Sequence, residues 1–332
     1  MNPEPPMNPE SQSSMHKSEE SPTEAIDPAA SGIESAEACW SHFQQQESRL
    51  TAALEANREA ALKASLWWAE TLGGEGRILG LGAGTSGRLI QLEMAEWGPT
   101  FSVPENRRRA LIAGGPEALI RAIEGAEDDG PAGRSVIREA DVDEKDLVLG
   151  ISASGAAAYV REGLREAADR GARVLFVTCN PDCQLIESEK GLRLLLETGS
   201  ETVAGSTRLG AATATHRLLH RISTMGAIRL GWIFRGRMIR MQVTNEKLRR
   251  RARTIVSDLT ELSDDRAGEL ISMSNNDLRL AIVAGWLSGN LQGAQEVLKA
   301  ANGRIGAIEA HMEQIRAGEL SLEELAGLLR KP

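Results

Sequence analysis

Residues 78–87 read Ile-Leu-Gly-Leu-Gly-Ala-Gly-Thr-Ser-Gly, and no other stretch constrains the fold as much. A short apolar run, 78–81, passes directly into a loop of small residues, 82–87, and a helical pattern follows from Arg88. Strand, small-residue loop and helix in succession aim backbone N–H groups at an anion. The glycines, Gly84 among them, let the backbone approach it, and the helix N-terminus adds about half a positive charge. Thr85 and Ser86 contribute hydroxyls suited to a phosphate monoester. The stretch also satisfies G-x-G-x-x-G, but the next apolar run ends in Gly114, Gly115 and Pro116. The carboxylate that would hold a nucleotide ribose is missing there, so no nicotinamide cofactor is expected.

The pattern repeats downstream. Apolar runs at 78–81, 110–113, 147–151, 174–177 and 192–196 alternate with helical patterns at 87–97, 116–127 and 156–170. This alternation predicts an α/β fold with a parallel five-stranded sheet covered on both faces. Ligands of such sheets bind beyond the C-terminal strand ends. Residues 82–87, 114–116 and 152–155 all fall at that edge. Upstream, 35–72 reads as helix, stopped by Gly73, Gly74 and Gly76; downstream, 205–256 reads as long helices. Short amphipathic pieces at 264–272, 275–287, 291–301 and 303–316 suggest a small helical appendage over 257–332. Residues 1–22 hold five of the 12 prolines and are expected to be a disordered tail, leaving 23–256 as the main domain with an N-terminal helical arm.

Several groups carry chemistry. Ser152, Ser154 and Gly155 precede a helix at a strand end, and Gly205, Ser206, Thr207 and Arg208 precede another, so both could complete a phosphate cradle. Glu96 falls in the last turn of a helix that Gly98 and Pro99 should end. The negative helix end disfavours its charged form and suits a general acid, with Glu93 on a neighbouring face as a rival. Glu124, Glu127, Asp128 and Asp129 crowd the end of another expected helix, either as a base raised by its neighbours or as a solvated helix end. His216 and His220 share a helix face, but the pattern offers no third ligand, so no metal is expected. Lys247, Arg249, Arg250, Arg251 and Arg253 read as a solvated helical face.

A net charge of −9 argues against nucleic acid and anionic membranes as partners. No apolar run approaches the roughly 20 residues of a membrane span. Three sparse cysteines, Cys39, Cys179 and Cys183, fit a reducing cytoplasm, and Cys179 and Cys183 read as buried or idle thiols rather than a metal site.

Together these strings resemble the N-acetylmuramic acid 6-phosphate etherases, of the sugar isomerase (SIS) fold. The matching strings, in order, are GAGTSGRL, Glu96 before PTF, IAGG, EGAED at 124–128, ISASG, CNP at 179–181, GSTRL at 205–209, ISTMGAIRLG at 222–231 and TNEKLRRRA at 244–252. A weaker echo lies at 23–34, and the C-terminal helices resemble a small ubiquitin-associated-like module. The resemblance implies a doubly wound sheet of flavodoxin-like order, a homodimer and a phosphorylated amino sugar as substrate. It implies elimination of D-lactate from the sugar C3 followed by addition of water, with Glu127 as base, Glu96 as acid and no cofactor. The long helical segment and the N-terminal arm also point to a homodimer. The same fold serves sugar-phosphate-binding regulators such as glucokinase regulatory protein, which is the alternative reading. Some positions depart from the family pattern. Ala156, Ala157 and Ala158 replace Arg-Thr-Pro, Gly210 and His216 stand where lysine is usual, His220 where asparagine is, and Arg240 where an acid is. One lost charge-assisted bond would weaken substrate binding by about 1.5–3 kcal/mol.

Overall fold

A computed structural model describes residues 21–30, 33–183 and 189–330. The tail expected at 1–22 therefore lies outside the described residues, save for Ser21 and Pro22. Ser21 is buried in a turn, its N–H donating to Glu24 Oε2 at 3.0 Å.

Five strands, β1 (Ile78–Gly82), β2 (Arg108–Ile112), β3 (Leu147–Ile151), β4 (Arg173–Thr178) and β5 (Gly191–Leu195), form one sheet in the order β2-β1-β3-β4-β5. Every pairing is parallel, as the apolar alternation predicts. Side chains alternate across it. Ile78, Leu147, Leu149, Ile151, Leu175 and Val177 face a core built with α1 (Ala36–Ala56), α2 (Arg58–Gly73), α3 (Gly84–Phe101) and α6 (Gly210–Arg229). Leu79, Leu81, Val148, Val174 and Phe176 face a second core with α4 (Gly130–Glu139) and α5 (Ala158–Asp169). Burial on both faces explains the continuous apolar run in β1, β3 and β4, whereas the edge strands β2 and β5 are part-exposed and carry arginines. The winding reverses between β1 and β3, so the loops after these strands border a crevice at the C-terminal edge.

Three elements differ from expectation. The helical stretch at 35–72 is two helices, because the Asn57 side-chain amide donates to Ala53 O at 2.8 Å and also to Leu195 O. The helix expected at 87–97 begins at Gly84 and runs through Pro99 to Phe101. Proline removes one N–H, but the end is held by other contacts. Arg108 Nη1 donates to Met94 O at 2.5 Å and Ser102 N to Gly98 O at 2.8 Å. Phe101 packs with Trp68 and Trp232 at centroid distances of 6.4 and 5.9 Å. The expected helical run at 205–256 is broken by a hairpin, β6 (Ile233–Phe234) and β7 (Arg237–Met238), whose turn residues Arg235 and Gly236 both have positive φ.

From Ile239 onward the chain builds a separate hydrophobic cluster. It comprises α7 (Glu246–Thr260), α8 (Asp264–Met273), α9 (Leu278–Trp286), α10 (Leu291–Ala300), α11 (Ile305–Glu309), α12 (Met312–Arg316) and α13 (Leu322–Leu329). Lys247, Arg249, Arg250 and Arg251 are exposed on α7. Arg240 joins this cluster to α3. It lies 4.1 Å over the Trp232 ring, donates to Phe101 O at 3.0 Å, and burial pushes its pKa down to about 10. Among the described residues no helix is long and apolar enough to cross a membrane.

Helix α3 lies unusually close to the sheet. A Cβ on Gly80 would sit 2.3 Å from Ile90 Cγ2, and one on Gly82 2.6 Å from Gly87 N. Gly80→Val is expected to destabilise the chain by about 1–3 kcal/mol, since the added methyls must displace α3. A urea midpoint unchanged from wild type would contradict this close docking.

Candidate active site

The stretch that the sequence marks as an anion-binding edge is the first turn of α3. Gly84, Thr85 and Ser86 are its first three residues rather than a loop ahead of it. Their N–H groups have no intrahelical acceptor, and Ala83 before them supplies no capping side chain. Gly84 has a positive φ of 50°. Gly84, Thr85 and Arg88 line a cleft of about 230 Å³ whose opposite wall carries Glu124, Gly125, Ala126 and Glu127.

The segment bearing Glu127 is not the helix expected at 116–127. It consists of two 3₁₀ turns, Pro116–Leu119 and Ala126–Asp128, each preceded by a glycine of positive φ, Gly115 and Gly125. The Arg88 guanidinium takes the carbonyls a helix would need. Nε donates to Ala118 O at 3.1 Å and Leu119 O at 3.3 Å, and Nη2 to Arg121 O at 3.3 Å. The acidic group thus sits on a turn strapped to α3 and leads into the start of α4, whose N-cap is Asp129, its Oδ1 accepting from Ala132 N at 2.9 Å, rather than at the end of a helix over 116–127. Glu127 is exposed and makes no hydrogen bond or ion pair among the described residues.

At the end of β3, Ser154 Oγ accepts from Ala156 N at 3.2 Å, and the buried Ser152 Oγ from Ala157 N at 3.4 Å. Each hydroxyl keeps its own proton for another acceptor. Gly155 has φ 76°, and a Cβ there would sit 2.0 Å from Cys183 Sγ, so this turn requires glycine. Burial pushes the Cys179 thiol up to about 12, keeping it protonated and inert.

The third element is organised differently. Ser206 and Thr207 are half-buried in the turn before α6, and their hydroxyls make no hydrogen bond among the described residues. However, the α6 N-terminus is already filled. Glu201, 1% exposed, accepts from Gly210 N at 2.7 Å and Ala211 N at 2.9 Å. Burial raises its pKa against the opposing pull of those amides. A lysine at 210 is therefore absent where a buried carboxylate meets backbone. Sequence reasoning missed Glu201, which stands nine residues before the group it caps. It also missed the contact of the N-terminal arm: Thr23 O accepts from Gly205 N at 3.0 Å, and His42 Nδ1 lies 3.1 Å from Thr202 Oγ1. The arm is held by Asp27, whose carboxyl the Arg49 guanidinium at 2.8 Å keeps below the usual range.

Glu96 is exposed on α3 and makes no hydrogen bond or ion pair among the described residues. The helix runs five residues past it, so it is not in the last turn and the helix-end argument does not apply. It lies twelve residues beyond Gly84, about 18 Å along the axis. Its rival Glu93 is buried and fully engaged: Oε1 accepts from Trp97 Nε1 at 3.0 Å and Ser223 Oγ at 2.6 Å, and Oε2 lies 3.4 Å from His220 Nε2. Burial and the neighbouring His220 hold the His216 imidazole below its usual range. The structure thus brings Gly84, Thr85 and Glu127 into one cleft and leaves Glu96 apart from it.

Comparison with known proteins agrees with this architecture. Residues 66–167 match the family model of the glucokinase regulatory protein N-terminal SIS domain. An N-acetylmuramic acid 6-phosphate etherase of Picosynechococcus sp. is 37% identical over 286 residues, covering 85% of this chain and 94% of that protein. One of Rhodopirellula baltica is 36% identical over 290 residues, covering 87% and 96%. A phosphoheptose isomerase structure from Neisseria gonorrhoeae superposes with a TM-score of 0.44 at 18% identity, covering 57% of this chain and 96% of that one.

Replacing Arg88 by Met should release the strap on three carbonyls while leaving the sheet intact. Amide hydrogen exchange over 114–129 is expected to speed up at least about tenfold, with β1 and β3 unchanged. Unaltered exchange in that segment would mean that Arg88 does not hold it.

Proposed function

The chain belongs to the N-acetylmuramic acid 6-phosphate etherase family, and on that premise we propose that it splits the D-lactyl ether of N-acetylmuramic acid 6-phosphate. The products of this reading are N-acetylglucosamine 6-phosphate and D-lactate. The observation that supports it most is the cleft in which the uncapped first turn of α3 faces Glu127. In this reading the phosphate accepts from the N–H groups of Gly84, Thr85 and Ser86, and the hydroxyls of Thr85, Ser86, Ser152, Ser154, Ser206 and Thr207 are its further donors. Gly155 lets the serine loop turn back towards it. In the ring-opened sugar the aldehyde acidifies the C2 proton. Glu127 removes it, the C3–O bond breaks as the C2–C3 double bond forms, and Glu96 gives its proton to the departing lactate oxygen. Water then adds to C3 and a proton returns to C2. The reading sets this reaction in the cytoplasm, where unpaired thiols persist.

The 18 Å of helix between Gly84 and Glu96 exceeds the reach of one hexose phosphate. One chain's cleft and its own Glu96 therefore do not meet on one substrate. In this reading the protein is a homodimer, and the partner's Glu96 completes each site. Leu92, one turn before Glu96 on the same face of α3, is 47% exposed, as an interface residue would be in the isolated chain.

Glu127→Gln should abolish exchange of the C2 proton with deuterated solvent. Glu96→Gln should retain exchange but release lactate about 100- to 10,000-fold more slowly. Mixing the two variants under conditions of subunit exchange should restore about a quarter of wild-type lactate release, because half the dimers then carry one intact site. Wild-type rates in both variants would remove the carboxylates from the mechanism. Two slow variants that stay inactive on mixing would place Glu96 in its own chain's site.

A further inference from the structure

Glu93, His216 and His220 form a cluster that the etherase chemistry does not use. Glu93 comes from α3, and the two histidines lie one turn apart on α6. One potential ligand atom from each lies within 4.8 Å of the others. The imidazole centroids are 4.1 Å apart. His216 Nε2 is buried and has no hydrogen-bond partner among the described residues.

We propose that these three side chains form a binding site for a divalent transition cation of the zinc type. Two imidazole nitrogens and one carboxylate oxygen are a borderline-soft donor set, which suits zinc and disfavours magnesium or calcium. The carboxylate is already oriented for ligation. Trp97 Nε1 and Ser223 Oγ both hold Oε1, leaving Oε2 turned to His220. Such outer hydrogen bonds are what fix ligating carboxylates in metal sites. Ligands about 2.0–2.2 Å from one ion stand about 3.5 Å from each other, so small side-chain rotations close the site. The ion gives the buried His216 lone pair the partner it lacks and offsets the charge of a carboxylate that is 7% exposed. The His220 side chain is 59% exposed, which leaves an entry path and a fourth position for water. Bound there, the cation joins α3 to α6 one helical turn from Glu96. The third ligand escapes sequence inspection because it stands 123 residues before His216.

The test uses the full chain, tag-free and stripped by a chelator. Titration with cobalt(II) chloride should produce the intense visible bands of a tetrahedral cobalt centre, and calorimetry with zinc chloride should show one ion per chain. His216→Gln and His220→Gln should each abolish the bands and weaken zinc binding more than tenfold. Ser223→Ala, which removes only an orienting hydrogen bond, should weaken it about tenfold. Absence of stoichiometric binding in the wild type overturns the proposal. So does zinc affinity unchanged in the His220→Gln variant, since His220 is exposed and its loss leaves the core intact.

Discussion

The backbone-to-backbone approach of α3 to the sheet governs most of what this chain can do. At Gly82 and Gly87 the two backbones meet, a Cβ on Gly82 reaching Gly87 N at 2.6 Å, while Gly80 makes room for Ile90 and Gly87 for Ile112, whose Cγ1 a Cβ there would meet at 2.5 Å. That approach fixes the helix in depth and rotation. Its first turn then falls at the C-terminal edge of the sheet, where three amides are free for an anion. Arg88 reaches sideways to shape the turn carrying Glu127. Glu93 points into the protein and Glu96 out of it. The far end packs into the Trp68–Trp97–Trp232 cluster, on which the C-terminal helices are latched through Arg240. One helix thus carries the proposed anion edge, the proposed acid, the proposed cation ligand and the junction to the second core.

The apolar runs made the sheet legible because both of its faces are buried, and each strand lies within two residues of its run. The alternation of strands with helices likewise gave away the parallel sheet. What local pattern could not show were competitions decided by distant residues. Pro99 reads as a helix stop, yet contacts from Arg108 and Trp232 carry the helix past it. Residues 116–127 have helical periodicity, yet Arg88 claims their carbonyls. The run before α6 reads as an open phosphate-binding turn, yet Glu201 occupies its amides. The two histidines lacked a third ligand only because that ligand is on another helix.

The departures from the family pattern take on physical meaning in this light. Gly210 donates its N–H to Glu201, and a Cβ there would lie 3.1 Å from that carboxylate, so the position serves the helix cap. Arg240 is stacked and hydrogen-bonded at a junction rather than facing the cleft. Ala156 and Ala157 donate their N–H groups to Ser154 and Ser152, Ala157 is buried in the core beside α5, and Ser152 and Ser154 remain the hydroxyls of the loop. The substitutions gather on the serine loop, on α6 and at the α3 junction, and none touches Glu96, Glu127 or the first turn of α3. The proposed base and acid and the first turn of α3 are thus retained, while the departures adjoin the serine loop and the turn before α6 that are proposed to share the phosphate.

The most direct test of this account is a crystal structure of the chain with N-acetylglucosamine 6-phosphate. The phosphate is expected within hydrogen-bond distance of the Gly84, Thr85 and Ser86 amides, with the sugar C2 beside Glu127 and the C3 oxygen towards Glu96 of a second copy. A phosphate bound elsewhere, with the first turn of α3 facing bulk water, would contradict it.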